Sequence, residues 1–161
     1  MATAVGHVLI TMVLVELVCN YLLKLRISRR LILAGGIAGL LPDIDIPLSW
    51  AMSWLLGGKI KLHGGILHTL VFPLLFALVA LIIWKKAPRN ARILAVIIPA
   101  ALLLHLGLDC VYGGYATLLF PFFTGDFCPL WNLNKYVLEI DAVLLLAWLI
   151  AENIRQGKRT K

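Results

Sequence analysis

Apolar and polar positions along this chain fall in long blocks rather than in short alternations. Apolar runs bounded by basic or helix-breaking residues cover residues 4–23, 31–41, 67–84, 93–109 and 136–154. A helix of about 20 apolar residues crosses roughly 30 Å of hydrocarbon. The pattern therefore predicts an all-α, polytopic membrane bundle of about five spans, folded as a single domain over residues 1–161.

The second of these runs is short and broken. Residues 31–41 make about 16 Å of helix, and Pro42 follows them. The run should therefore stop short of the far surface and leave Asp43 and Asp45 in a recess below it. The next stretch, residues 46–56, carries two tryptophans, which favours a short helix lying at the membrane interface.

Composition and charge agree with a membrane protein. The chain is 61% hydrophobic and 14% charged, and its mean hydropathy is +0.95, outside the range of soluble domains. The net charge of +7 comes from basic clusters that follow the first, third and fifth runs. The positive-inside rule places these clusters in the cytoplasm. We therefore expect an inner-membrane protein with its N-terminus outside and its C-terminus inside, and no nucleic-acid partner.

This orientation gathers the candidate chemistry at one membrane face. Every histidine and three of the eight acids fall at the outer ends of the runs: His7, Asp43, Asp45, His63, His68, His105 and Asp109. Imidazole and carboxylate groups are common ligands of zinc, manganese and iron. A charge within an apolar chain costs several kcal/mol unless something compensates it. The sequence therefore predicts a buried metal site near the outer leaflet.

The spacing of these residues suits metal binding. His105 and Asp109 are four apart and share one helical face. His63 and His68 are five apart with two glycines between them, which suits one loop ligand and one ligand in the first turn of the third span. Seven ligands exceed one tetrahedral shell, so we expect two Zn²⁺ ions, with Mn²⁺ or Fe²⁺ as alternatives, or one ion with a supporting shell of residues.

Three of the seven are candidate catalytic residues: Asp43, Asp45 and His63. One aspartate would bind metal and the other would act as the base on a metal-activated water. The sequence does not say which aspartate takes which role. Lys59 and Lys61, close by on the outer side, are candidates to bind a phosphate head group, with a solvated turn as the alternative.

The same motifs resemble a known family. Those motifs are an early His7, then Pro42-Asp43-x-Asp45, His63-x4-His68-Thr69 and His105-x3-Asp109. Together they resemble the YdjM family of membrane-bound metal-dependent hydrolases, over about residues 7–109. Their order is also similar to that of zinc-dependent phospholipase C and of the single-strand-specific zinc nucleases. Those enzymes carry a further His-x3-Asp/Glu pair that this chain lacks, and Glu139 and Asp141 are candidates to replace it.

The leading hypothesis is a membrane-embedded hydrolase that cleaves a lipid-borne ester, with a phosphoester favoured, at the extracytoplasmic leaflet. A ceramidase-like lipid amidase and a metal-ion transporter or sensor are the alternatives. Three further points stay open at this stage. Glu16 either takes a direct part in the function or forms an interhelical hydrogen bond. Cys110 and Cys128 either form a disulfide or stay free. The oligomeric state is undetermined.

Overall fold

The protein is described by a computed structural model that covers residues 3–112, 118–123, 128 and 133–159, without the side chains of residues 134 and 156–159. Its α-helices are α1 (Ala4–Glu16), α2 (Arg29–Ala38), α3 (Asp45–Leu56), α4 (Val71–Ile83), α5 (Arg89–Val111) and α6 (Val137–Arg159). A π-helical segment, Leu17–Leu22, continues α1, and 3₁₀ turns lie at Pro42–Ile44, Ile66–His68 and Asn134–Tyr136. The all-α prediction is confirmed.

The first two helices are antiparallel because the chain between them reverses sharply. Lys24 and Arg26 adopt left-handed backbone angles, with φ of 53° and 48°, which few non-glycine residues do. The Asn20 side chain accepts a hydrogen bond of 2.7 Å from the Ile27 amide and closes the turn. The start of α1 is thereby brought beside the end of α2.

Helices α1, α2 and α5 form the centre of the bundle, while α6 packs on α1 and α4 packs on α5. Two glycines of α2 and Gly39, which follows its last residue, allow the close approach. A β-carbon on Gly35 would lie 2.8 Å from Ile97 of α5, and one on Gly36 would lie 2.6 Å from Met12 of α1. Gly39 lies against Thr11, so Gly35 and Gly39 have the small-x3-small spacing of membrane helix contacts.

The distribution of polar side chains is inverted relative to a water-soluble domain. The largest fully buried side chains include all of the histidines except His63, together with Thr11, Thr69 and Asp109. Large apolar side chains face outward instead, such as Trp54, which is 83% exposed. Apolar surface on this scale needs an apolar solvent or a partner to cover it, and a bilayer supplies the first.

Fewer candidate spans are found than the sequence predicts. Among the described residues, Ala4–Leu22 and Arg89–Val111 are long and apolar enough to cross a membrane. Arg29–Ala38 and Pro42–Leu56 would make a third if counted together, as a pair bent by 54°. This bend agrees with the expected broken second span. Val71–Ile83 is apolar but shorter, because the chain before it forms a loop and a 3₁₀ turn. Five spans are therefore not shown.

Candidate metal centre

All seven predicted ligands lie together at one end of the bundle. His7 comes from the second turn of α1, and His105 and Asp109 come from the last turns of α5. The chain between α2 and α4 supplies the rest: Asp43, Asp45, His63 and His68. His7, His68, His105, Asp45 and Asp109 are at most 3% exposed. Three elements distant in sequence therefore converge on one buried polar cluster.

The predicted position of His68 at the start of the third membrane span is wrong. His68 does not open a membrane helix, because it ends the 3₁₀ turn Ile66–His68 and α4 begins only at Val71. Thr69, between them, is extended, and its hydroxyl donates to the Ile66 carbonyl at 2.7 Å. This irregular backbone turns the imidazole of His68 inward, where it is 1% exposed.

Two imidazole nitrogens mark the centre of the cluster. The Nε2 atoms of His68 and His105 are 3.4 Å apart. Asp43 Oδ1 lies 3.5 Å from the first and 3.6 Å from the second. Asp109 Oδ2 lies 3.7 Å and 3.3 Å from the same two atoms. Neighbouring ligands of a tetrahedral zinc are about 3.3–3.4 Å apart, given bonds of about 2.0–2.1 Å. The spacing around these nitrogens therefore suits a single divalent cation.

A backbone carbonyl fixes which nitrogen of His105 faces this centre. His105 Nδ1 lies 2.7 Å from the carbonyl oxygen of Gly39, which can only accept, so Nδ1 carries the proton and donates. Nε2 then presents its lone pair to His68 and the two aspartates. Orientation of a ligating histidine by a carbonyl on its other nitrogen is common in metal sites.

Asp45 and His63 form an outer part of the cluster. The Asp45 carboxylate contacts His63 Nδ1 at 2.9 Å and His68 Nδ1 at 3.3 Å. Two serines of α3 hold the loop that carries His63. Ser49 Oγ accepts from the Leu62 amide at 3.0 Å, and Ser53 Oγ accepts from the Ile60 amide at 2.9 Å. These hydrogen bonds dock the loop on α3, whose first residue is Asp45.

His7 supports the cluster from the side of α1. Its ring stacks on that of His105, with centroids 3.9 Å apart, and its Nε2 lies 3.4 Å from Asp109 Oδ1. His7 thus contacts Oδ1 of Asp109, whereas the two central nitrogens lie against Oδ2. The contact places His7 beside the central ligands, where it can bind an ion directly or orient Asp109.

Several buried polar atoms of the cluster lack hydrogen-bond partners. Seven buried side-chain atoms in the described part of the chain have none, and four belong to predicted ligands: His7 Nδ1, Asp45 Oδ2, His68 Nδ1 and Asp109 Oδ1. An unsatisfied buried polar group costs about 1–3 kcal/mol. Asp45 Oδ2 and His68 Nδ1 lie 3.3 Å from each other, and Asp109 Oδ1 lies 3.4 Å from His7 Nε2, so three of the four atoms have a polar neighbour without hydrogen-bond geometry. Such a concentration of unsatisfied atoms is expected where an ion or water completes the contacts.

Three overlapping groups have the spacing to hold an ion: His7, His105 and Asp109; Asp43, His68 and His105; and Asp45, His63 and His68. The groups share His105 or His68, and a neutral imidazole binds through one nitrogen. Adjacent groups therefore compete for the same lone pair. The number of ions, two or one with a supporting shell of residues, stays a prediction.

The four remaining candidates, Asp141, Glu139, Lys59 and Lys61, differ in burial. Asp141 is buried and accepts from the Thr3 hydroxyl at 2.5 Å, beside Gly6 of α1. Burial raises the pKa of Tyr112, and the charge of Asp141 raises it further. Asp141 therefore joins α6 to the end of the bundle that holds the cluster. Glu139, Lys59 and Lys61 are exposed.

Two questions left open by the sequence are answered by contacts. Glu16 is buried and pairs with Arg155, so it joins α1 to α6 rather than the cluster. Cys110 and Cys128 form a disulfide. The bridge ties the end of α5, one residue after Asp109, to the chain that precedes α6.

Sequence reasoning missed Gly39, Thr11 and Ser49. Gly39 acts through its backbone, and its role depends on which side chain meets its carbonyl. The Gly35-x3-Gly39 spacing was a usable signal for close packing there. Thr11 lies one helical turn after His7 and Ser49 one turn after Asp45, but hydroxyl residues in an apolar helix carry little signal by themselves.

These observations define a helical membrane protein with a buried histidine–aspartate cluster that has the spacing to bind metal. Residues 1–160 match the family model described as YdjM inner membrane protein. The chain belongs to that family, as its motifs indicated. Searches of curated proteins and of solved structures found no match.

Proposed function

We propose that this protein is a membrane-embedded metal-dependent hydrolase that cleaves a lipid-borne ester, with a phosphoester as the favoured bond. One observation carries the proposal. The two facing Nε2 atoms of His68 and His105 each lie 3.3–3.7 Å from oxygens of Asp43 and Asp109. Four potential ligands at this spacing, nearly closed off from solvent, suit a bound divalent cation better than a set of structural hydrogen bonds.

The donor set fits zinc, with manganese or iron as alternatives. Two neutral imidazoles and two carboxylates supply nitrogen and oxygen ligands, and no thiolate lies among them. A divalent cation held there would supply Lewis acidity toward an ester oxygen and would lower the pKa of a water. Asp43, with its side chain 15% exposed, is the most accessible of the four ligands. We therefore place the entry of substrate on its side.

The contacts favour different roles for the two aspartates, Asp43 and Asp45. Asp43 lies against both central nitrogens, whereas Asp45 lies 2.9 Å from His63 Nδ1 and on the far side of the His68 ring. We assign Asp43 as a ligand and His63 as the general base, with Asp45 orienting it. A base has to reach the substrate, and the His63 side chain is 17% exposed.

A lipid substrate fits the surroundings of this opening. Trp50 and Trp54 of α3 are 71% and 83% exposed, and tryptophan concentrates at membrane interfaces. Lys59 and Lys61 are exposed on the loop that leads to His63, where an anionic head group would meet positive charge. These features favour a phosphoester over the amide bond of the ceramidase-like alternative.

Metal transport is the second candidate, and the arrangement of acids disfavours it. A transport pathway needs polar groups through the membrane. The seven candidate ligands lie at one end of the bundle, and Glu16, the buried acid nearer the other end, is paired with Arg155. No ligand pathway continues from the cluster through the described residues.

Elemental analysis of the purified protein tests the first step. We expect about one equivalent of metal in the central group, and loss of it in His105→Ala and Asp109→Ala. Glu139→Gln, which removes an exposed acid of α6, is the matched control and should keep its metal. A value near two equivalents would show that Asp45 and His63 bind an ion of their own.

The catalytic step is tested on lipid phosphoesters, a pyrophosphate lipid and a lipid amide presented in mixed micelles. We expect product from a phosphoester, dependent on metal and abolished by His63→Ala in protein that retains its metal. Metal-loaded protein that releases product from none of these lipids would count against a hydrolase. Metal uptake into proteoliposomes, lost in Asp109→Ala, would favour transport instead.

A further inference from the structure

A long apolar groove runs along the outside of α1 and α5. Its volume is about 760 Å³, and its walls are aliphatic along both helices. One end lies at Thr11 and Leu104, which are one helical turn after His7 and one residue before His105 respectively. The other end opens at Trp84, Arg89 and Arg92. The groove is thus apolar along its length and basic at one mouth.

The basic mouth is fixed in position. Arg89 Nη2 donates a hydrogen bond of 2.9 Å to the carbonyl of Leu25, in the loop after α1. The neighbours of Leu25 are Lys24 and Arg26, both exposed. The acids at this end of the bundle, Glu16 and Glu152, each pair with an arginine. The mouth therefore carries a concentration of positive charge with no acid placed against it among the described contacts.

The length of the groove matches one leaflet. Arg92 and Leu104, both of which line it, are twelve residues apart on α5, which is about 18 Å of helix. Half of a typical hydrocarbon core is about 15 Å. Trp84, 41% exposed at the mouth, suits the level of the head groups.

We propose that this groove binds an anionic phospholipid, with its phosphate at Arg89 and Arg92 and one acyl chain between α1 and α5. The phosphate of this lipid lies at the end of the bundle opposite Asp43 and His63. The head-group site is therefore separate from the hydrolase substrate site and does not depend on the proposed reaction. The terminus of the acyl chain reaches Thr11, which packs against Gly39.

Native mass spectrometry of the full chain, with phosphatidylglycerol or phosphatidylcholine as the added lipid, tests the proposal. We expect phosphatidylglycerol to be retained and phosphatidylcholine to be lost. Since a basic residue close to an anionic head group contributes about 1 kcal/mol, the double variant R89Q/R92Q, which removes both arginines that line the mouth, should weaken phosphatidylglycerol binding roughly 30-fold. The control K85Q/K86Q removes two exposed charges just before α5 that do not line the groove, and should change the affinity less than threefold.

A second variant acts on the acyl chain instead of the head group. Ala100 lines the groove and is exposed, so the ring introduced by Ala100→Phe should obstruct the path of the acyl chain and weaken phosphatidylglycerol retention while metal content stays unchanged. Equal binding of the two lipids, equal losses in R89Q/R92Q and K85Q/K86Q, or full retention in Ala100→Phe would overturn the proposal. So would a dimer that persists and excludes lipid in the wild type but dissociates in Ala100→Phe, because a second copy would then occupy the groove.

Discussion

Gly39→Ala tests whether a backbone carbonyl controls the candidate metal centre. The added β-carbon would lie 2.9 Å from Thr11 Oγ1, 3.2 Å from the Gly36 carbonyl and 3.4 Å from the His7 carbonyl. Two of these neighbours are backbone, and Thr11 is fully buried. The end of α2 must therefore move away from α1, an overpacking cost of about 1–3 kcal/mol.

That movement should reach the cluster through one hydrogen bond. The Gly39 carbonyl accepts from His105 Nδ1 at 2.7 Å, and a shift of α2 lengthens this contact. Loss of such a supporting partner typically lowers metal affinity about 10–100-fold. We expect Gly39→Ala to bind zinc about 10–100-fold more weakly than wild type, as measured by competition with a chromophoric chelator.

Two matched variants separate this effect from simple destabilisation. Gly107 lies on α5 with nothing within 4 Å of an added β-carbon, so Gly107→Ala should keep wild-type affinity. Gly36→Ala meets the Met12 side chain in the same α1–α2 interface; it should lower the melting temperature with a smaller effect on affinity. If folded Gly39→Ala binds zinc as tightly as Gly107→Ala, the Gly39 carbonyl does not control His105 and the reasoning fails.

Three further predictions address the outer carboxylate, the interhelical ion pair and the disulfide. Asp45→Asn should abolish hydrolysis while metal content stays at the wild-type level, and parallel loss of metal would make Asp45 a ligand instead. Glu16→Gln removes the buried charge that pairs with Arg155, which keeps its more distant contact with Glu152. The change should lower the free energy of unfolding by roughly 1–3 kcal/mol without changing metal content; an unchanged melting temperature would contradict this. Because the Cys110–Cys128 bridge spans a sequence separation of 18, Cys128→Ser should cost about 3 kcal/mol, and a reducing agent should then lower the melting temperature of wild type but not of the variant.

Sequence and structure contributed different parts of this picture. The apolar blocks predict helices because a backbone in hydrocarbon must satisfy its own hydrogen bonds. Five of the six helices follow the five blocks, and α3 follows the short helix expected at residues 46–56. It was also predictable that His7, Asp43, His68 and His105 lie at the same end of the bundle. The positive-inside rule gives each apolar run an orientation, and in these orientations the four residues fall at the same membrane face. The number of spans was not predictable in this way, since the bend between α2 and α3 and the 3₁₀ turn before α4 depend on packing against neighbouring helices.

The division of roles within the cluster came from tertiary structure. Asp43 and Asp45 are two residues apart and chemically identical, so their order in the chain cannot say which one faces His105 and which one faces His63. The 3₁₀ turn at Pro42–Ile44 decides it by turning the two carboxylates to different neighbours. The Gly39 carbonyl acts on His105 across 66 residues of sequence. The chain alone thus determined which chemical groups share one end of the bundle, whereas which atoms face one another depended on how α1, α2 and α5 pack.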